Sequence, residues 1–219
     1  MDEIAREEDR LSDIRESVRQ VGLSWEKSAY YENAERLTDV FWREGTLFRR
    51  LFEKLDLSAV VELACGHGRH AERIAQKCGQ LTLMDIHQRN IDFCRDRLAG
   101  FSNVAYFVNS GFDFPLPSSS QTAIFCYDAM VHFSPDVVRS YLIDTARVLK
   151  TGGLALYHHS NYSEPSGRPY YQNPHARNHM TKELFAEYCG EAYLLIEEAF
   201  VLGWGSEPNL DCVSLVKRA

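Results

Sequence analysis

The 219-residue sequence lacks any apolar run approaching the roughly 20 residues that cross a bilayer. Its first residues, Met1-Asp2-Glu3-Ile4-Ala5-Arg6-Glu7-Glu8, are charged where a secretory signal is apolar. No membrane partner is expected, and the chain reads as cytoplasmic. It also lacks paired cysteines: the six, at 65, 78, 94, 126, 189 and 212, contain no Cys-x-x-Cys, which argues against a zinc knuckle or a disulfide framework and for small buried hydrophobes. Positive charge is short too. Lys and Arg number 24 against 31 Asp and Glu, a net −7, so nothing general attracts a phosphate backbone; a small-molecule substrate is expected and long nucleic acid is not.

What is present is ordinary globular composition, long enough to bury about 70% of the unfolded surface. The informative stretch is Val60-Val61-Glu62-Leu63-Ala64-Cys65-Gly66-His67-Gly68-Arg69-His70. An apolar run ends in small residues and two glycines, which allow positive φ and a close backbone approach by a ligand. A second apolar strand, Leu81-Thr82-Leu83-Met84-Asp85-Ile86, then ends in a carboxylate suited to both hydroxyls of a ribose. Gly66-x-Gly68-x-x-Ala71 also satisfies the dinucleotide fingerprint, so an NAD-dependent oxidoreductase stands as an alternative. A non-catalytic, cofactor-binding partner subunit is a further one.

Around this stretch the pattern alternates: strands at 59–64, 81–86, 104–108, 122–127 and 153–158, helices at 68–78, 88–99 and 135–149, which implies a parallel sheet with helices on both faces. Ahead of it, Val40, Phe41, Leu47, Phe48, Leu51, Phe52 and Leu55 recur at helical spacing. The first helix carries a narrow apolar stripe, Leu11, Ile14, Val18 and Val21, which must pack on its own domain, over the active site, or against a second copy in a homodimer. After a polar segment at 159–180, a short helix near 182–189 leads to two strands, about 193–202 and 210–216, that read as an antiparallel hairpin.

Glu62-x-Ala64-x-Gly66-x-Gly68, Asp85, Cys126-Tyr127-Asp128-Ala129-Met130-Val131-His132 and Arg147-Val148-Leu149-Lys150-Thr151-Gly152-Gly153 together resemble, in order and spacing, the class I S-adenosylmethionine-dependent methyltransferases of the small-molecule type. The resemblance covers roughly residues 35 to 219. It implies an α/β, Rossmann-like doubly wound sheet of seven strands with a C-terminal antiparallel hairpin, the seventh strand beside the fifth. It also implies an N-terminal helical cap, residues 1–56, over a methyltransferase domain of residues 57–219.

The implied activity is methyl transfer from S-adenosylmethionine to an oxygen or nitrogen of a small polar metabolite, a sugar or secondary-metabolite intermediate. Glu62, Ala64, Cys65, Gly66 and Gly68 then hold the methionine end, Asp85 takes the ribose, and Ile86, Ser110, Gly111, Phe112 and Tyr127 surround the remainder, with Ser110 where the family commonly has an acid for the adenine amino group. The Asp128-Ala129-x-x-His132 stretch is similar to that of phosphoethanolamine methyltransferases, in which the histidine pairs with a tyrosine of the N-terminal helices; Tyr30 and Tyr31 occupy an equivalent region. His132, Asp128, His159 and Tyr31 are the catalytic candidates, and Tyr30, His158, Asn161 and Arg177 the substrate-binding ones. Arg168 or Arg177 gripping an anion tilts the expected acceptor toward an acidic or polyhydroxylated one. No metal site is expected, because His158, His159, His175 and His179 lack an accompanying carboxylate cluster.

Overall fold

The structure is a computed structural model that describes residues 2–163 and 169–219, with side chains from residue 8 onward; Arg168 lies outside the described residues. In chain order the elements are α1 (Asp2–Trp25), α2 (Tyr30–Glu35), α3 (Thr38–Trp42), α4 (Leu47–Phe52), β1 (Ala59–Leu63), α5 (Ala71–Ile74), β2 (Gln80–Asp85), α6 (Gln88–Arg97), β3 (Val104–Val108), β4 (Gln121–Cys126), α7 (Pro135–Val148), β5 (Leu149–Ser160), α8 (Lys182–Glu191), β6 (Leu194–Trp204) and β7 (Glu207–Arg218).

Seven strands form one sheet in the order β3-β2-β1-β4-β5-β7-β6, parallel from β3 to β5 and antiparallel at β7. The expected hairpin is there, and β7 inserts beside β5 as the resemblance implied. Sandwiching explains the apolar runs: strands buried on both faces have no polar side to show. Val61 and Leu63 pack into one core with α7 and α8, while Val60 packs into the other with α4, α5 and α6. Glu62 interrupts this run as a buried carboxyl, the first sign that β1 carries more than packing.

Local chemistry sets the helix starts. Pro135 occupies the first turn of α7, where its missing N–H costs nothing, and Asp136 faces the positive end of the helix dipole. Thr181 accepts from Leu184 N at 3.0 Å and caps α8. The expected helix at 68–78 is shorter, because Gly66 and Gly68 adopt φ of +53° and +71° and the chain straightens into α5 only at Ala71. The region ahead of β1 is three short helices whose Phe48, Leu51 and Phe52 enter the core. The stripe on α1 turns inward: Ile14 and Val21 are buried against the chain's own domain, so this stripe is not left for a second copy.

Candidate active site

A cleft of about 1020 Å³, counting its mouth, opens at the carboxyl ends of β1, β2 and β4, the edge where open α/β sheets bind ligands. Its floor is the Gly66 turn and its roof is α1, which contributes Val18, Val21, Gly22 and Trp25. Tyr31 of α2 lies against the turn so closely that a Cβ added at Gly66 would sit 2.9 Å from its ring, and it stacks on His67 at 4.7 Å. Two non-glycine residues, Ala64 after β1 and Asp128 after β4, hold left-handed φ of +54° and +63° at the cleft's edge. Such backbone costs on the order of 1–3 kcal/mol and collects at functional sites.

Asp85 is buried and preorganised. Its Oδ2 accepts the Gly66 N–H at 3.0 Å, and its Oδ1 accepts the His87 N–H at 2.9 Å and Asn90 Nδ2 at 3.1 Å. Burial raises its pKa, and the N–H donors of His87 and Gly66 oppose that rise. Glu62 is the complementary case. Burial pushes its carboxyl up to about 8 despite the pull of Arg69 and the Ala71 N–H, and its Oε2 is buried without a partner. Asn109 leaves a second buried acceptor open: Nδ2 donates to Tyr141 Oη at 2.9 Å and to the Asp113 carbonyl at 3.1 Å, which fixes the amide and leaves Oδ1 unpartnered.

His132 lines the same cleft and touches the Trp25 ring at 4.5 Å. Its Nδ1 lies 2.8 Å from the Ala176 carbonyl. A carbonyl can only accept, so Nδ1 carries the proton and Nε2 keeps its lone pair. Burial depresses its pKa to about 4, the Ala176 contact opposing, so the imidazole is neutral at pH 7. The tyrosine expected beside it is engaged elsewhere: Tyr30 donates its phenol to Asp128, whose carboxylate also accepts Arg69 Nη2 at 2.8 Å.

The cleft thus gathers Tyr30, Tyr31, Glu62, Ala64, Cys65, Gly66, Asp85, Ile86, Gly111, Tyr127, Asp128 and His132 from the sequence-based candidates. The others lie outside its lining. Gly68 packs on Cys94, Ser110 is exposed and bonds Asp113, and Phe112 packs toward the core. His159 is sealed in the core, stacked on Phe185 at 3.9 Å with both nitrogens engaged, by the Ser160 carbonyl and Ser214 Oγ, which corrects its reading as a base. His158 and Arg177 are buried against Asp211, and Asn161 ties the Asn209 carbonyl to the Lys182 N–H, so none of the three reaches a substrate in this cleft. Among the described residues no group of three or more His, Cys, Asp or Glu side chains is arranged to hold a metal. Arg69 and His70, directly after the glycines, and Asn109, next to Ser110, are cleft residues that adjacency to a motif signalled; Trp25 carried no such signal.

A methyltransferase-domain family model matches residues 60–153, β1 to the start of β5. A demethylmenaquinone methyltransferase of Tropheryma whipplei is 27% identical over 139 residues, 62% of this chain and 55% of the relative; the match thus spans about half the length of that curated protein. The 3-2-1-4-5-7-6 sheet surrounds that match. Over the matched span the chain is a methyltransferase domain, carried on the fold of class I S-adenosylmethionine-dependent methyltransferases. Solved structures carry the same fold. A chain from the complex of the Haloferax volcanii Trm112 methyltransferase activator with a methyltransferase aligns at TM-score 0.67 and 14% identity, over 89% of this chain and 96% of its own. Geranyl diphosphate C-methyltransferase of Streptomyces coelicolor aligns at 0.64 and 14%, over 78% of each chain. As in the class I fold, the antiparallel β7 between β5 and β6 departs from the order of dinucleotide-binding sheets, against the oxidoreductase alternative.

Proposed function

We propose that this chain binds S-adenosylmethionine in the cleft and directs its methyl group to an oxygen or nitrogen of a small metabolite, with His132 accepting the proton. One observation carries the reading: the cleft that presents two unpartnered buried acceptors, Glu62 Oε2 and Asn109 Oδ1, on either side of Asp85 in sequence also holds a neutral imidazole with its Nε2 lone pair open. The acceptors fit the cofactor's donors. Glu62 suits the ammonium of the amino-acid end, Asp85 the ribose, and Asn109 rather than Ser110 the adenine amino group. The bound cofactor supplies a methyl group activated on a positively charged sulfur.

The chain's own task is to place the acceptor and take its proton. Positioning of this kind lowers barriers by roughly 7–11 kcal/mol in well-oriented systems. Ala176 fixes the His132 tautomer, Trp25 braces its ring, and Asp128, tied to Arg69, orients Tyr30 rather than serving as a free base. The acceptor is an uncharged molecule with an apolar body: the described wall is largely aliphatic and aromatic, Arg69 is committed to Asp128, and Arg177 is drawn away to Asp211. Residues 1–56 serve as the cover and 57–219 as the methyltransferase domain.

The test is transfer of label from S-adenosylmethionine across a metabolite panel, with S-adenosylhomocysteine and NAD binding measured beside it. His132→Ala is expected to bind S-adenosylhomocysteine as the wild type does and to lose about two to four powers of ten in turnover. Full turnover in that variant rejects His132 as the base, and binding of NAD in place of S-adenosylhomocysteine rejects the whole reading.

A further inference from the structure

His132 and Asp128 are held from behind by a single carboxylate. Asp211 on β7 is fully buried and accepts three hydrogen bonds, from Arg177 Nε at 2.8 Å, Arg177 Nη2 at 2.6 Å and His158 Nε2 at 3.0 Å. Each donor residue leads to a different side of the cleft.

The Arg177 arm ends on His132. Arg177 is 2% exposed, and besides its fork onto Asp211 it donates Nη1 to the His175 carbonyl at 3.1 Å. It thereby pins a bend in which His175 and Ala176 both hold left-handed φ, +49° and +55°, although neither is glycine. From that bend the Ala176 carbonyl accepts His132 Nδ1–H. Asn178 stitches the segment to the same turn, its N–H on the Val131 carbonyl at 2.9 Å and its Nδ2 on the His132 carbonyl at 3.2 Å. A strained bend persists only where its surroundings over-determine it, and the Arg177–Asp211 fork is a buried, bidentate tether of that kind.

The His158 arm ends on Asp128. The Asp128 N–H donates to His158 Nδ1 at 3.1 Å, so the proton of His158 is on Nε2, where it meets Asp211. This contact holds Asp128 at its left-handed φ, from which the carboxylate reaches Arg69 and Tyr30.

We propose that Asp211 is a positioning residue for methyl transfer: through Arg177 it selects the Nδ1–H tautomer of His132, and through His158 it holds the turn that carries Asp128. The proposal rests on the reading of His132 as the proton acceptor. It does more than describe a stabilising ion pair, because an ion pair that merely held the hairpin would leave the tautomer of a histidine on another element unchanged.

The tautomer is read by 15N NMR of the imidazole nitrogens in the full-length protein at pH 7, with the His132 signal assigned by its loss in His132→Asn. Wild type is expected to show His132 as the Nδ1–H form. Asp211→Asn and Arg177→Lys, which keeps the charge but not the fork, are expected to shift it toward the Nε2–H form that an untethered neutral imidazole prefers. His158→Asn, whose Oδ1 can still accept the Asp128 N–H, leaves the His132 signal in place. An Nε2–H signal in wild type, or an unmoved signal in Arg177→Lys, overturns the proposal. If Asp211→Asn does not fold, Arg177→Lys decides; if neither folds, Asp211 is a stability element and the positioning role is rejected. S-adenosylhomocysteine is titrated into the same samples and is expected to bind all of them alike. Its failure to bind wild type would sink the methyltransferase reading while leaving the tautomer result to stand.

Discussion

The role proposed for Glu62, holding the ammonium, makes cofactor binding a proton-linked event. With its carboxyl pushed up to about 8 by burial, Glu62 is ionised to about 1% at pH 6 and about one half at pH 8. Only the carboxylate forms a charge-assisted bond to the ammonium of S-adenosylhomocysteine. Apparent affinity is therefore expected to rise about 50-fold from pH 6 to pH 8, about 2.3 kcal/mol, with close to one proton released per ligand at the low end. His132, at about 4, is silent across this window. Burial raises Asp85 as well, and Glu62→Gln isolates the part of the rise that belongs to Glu62 by flattening it. Titration calorimetry at each pH, repeated in buffers of different ionisation enthalpy, gives both affinity and proton count. Stability of the free protein carries the opposite mark. Unfolded Glu62 ionises near 4.5 while the folded one holds its proton to about 8, so this group makes the free protein less stable as pH rises through that window. Affinity that does not change between pH 6 and 8, or proton uptake on binding, would refute the assignment of Glu62 to the ammonium.

Two further outcomes test the floor and the base end of the cleft. Gly66→Ala places a Cβ at φ +53° and against the Tyr31 ring; a left-handed non-glycine costs about 1–2 kcal/mol, so a fall in Tm of about 2–8 °C is expected for a chain of this length. Gly100→Ala, with nothing within 4 Å of its added Cβ, is the control, and equal Tm for the two rejects the strain argument. Asn109→Ala removes the open Oδ1 and is expected to weaken S-adenosylhomocysteine about tenfold, the worth of one hydrogen bond of about 1.4 kcal/mol. It should also erase the preference over the inosine analogue, whose oxygen meets Asn109 Oδ1 unfavourably. A preference that survives in Asn109→Ala places adenine recognition elsewhere.

The sequence carries the sheet, and the carboxyls that line the cleft at its strand ends, better than the contacts beside them. β1, β2 and β4 are legible because strands covered on both faces have to be apolar throughout, and Glu62 and Asp85 stand out as the acids that such strands carry at or near their carboxyl ends. Alternation along β5 sets His158 and His159 on opposite faces, which is how they lie, yet it cannot say that each face is already occupied: His159 by Phe185 and Ser214, His158 by Asp211. The partner of Arg177 is 34 residues away and arrives only because β7 pairs with β5. Trp25 reaches His132 across 107 residues for the same reason: α1 folds back over a cleft whose other wall is made later in the chain. Periodicity reports what an element buries, and it is silent about which element comes to lie across from it.

Asp85 would join the proposed cover to the proposed cofactor site. A carboxylate offers about four acceptor directions. Three are filled, by Gly66, His87 and Asn90, so in the proposed binding mode one ribose hydroxyl would find an open direction and a second would take the place of a present donor. The two backbone donors are fixed by the turn and by the start of α6. Asn90 is the one that can let go, because its Nδ2 already lies 3.1 Å from Tyr31 Oη as well as from Asp85. Tyr31 is also the residue pressed against Gly66. In the proposed binding mode, a ribose diol that displaces Asn90 from Asp85 is expected to leave that amide on Tyr31, the α2 residue that already lies against the glycine turn.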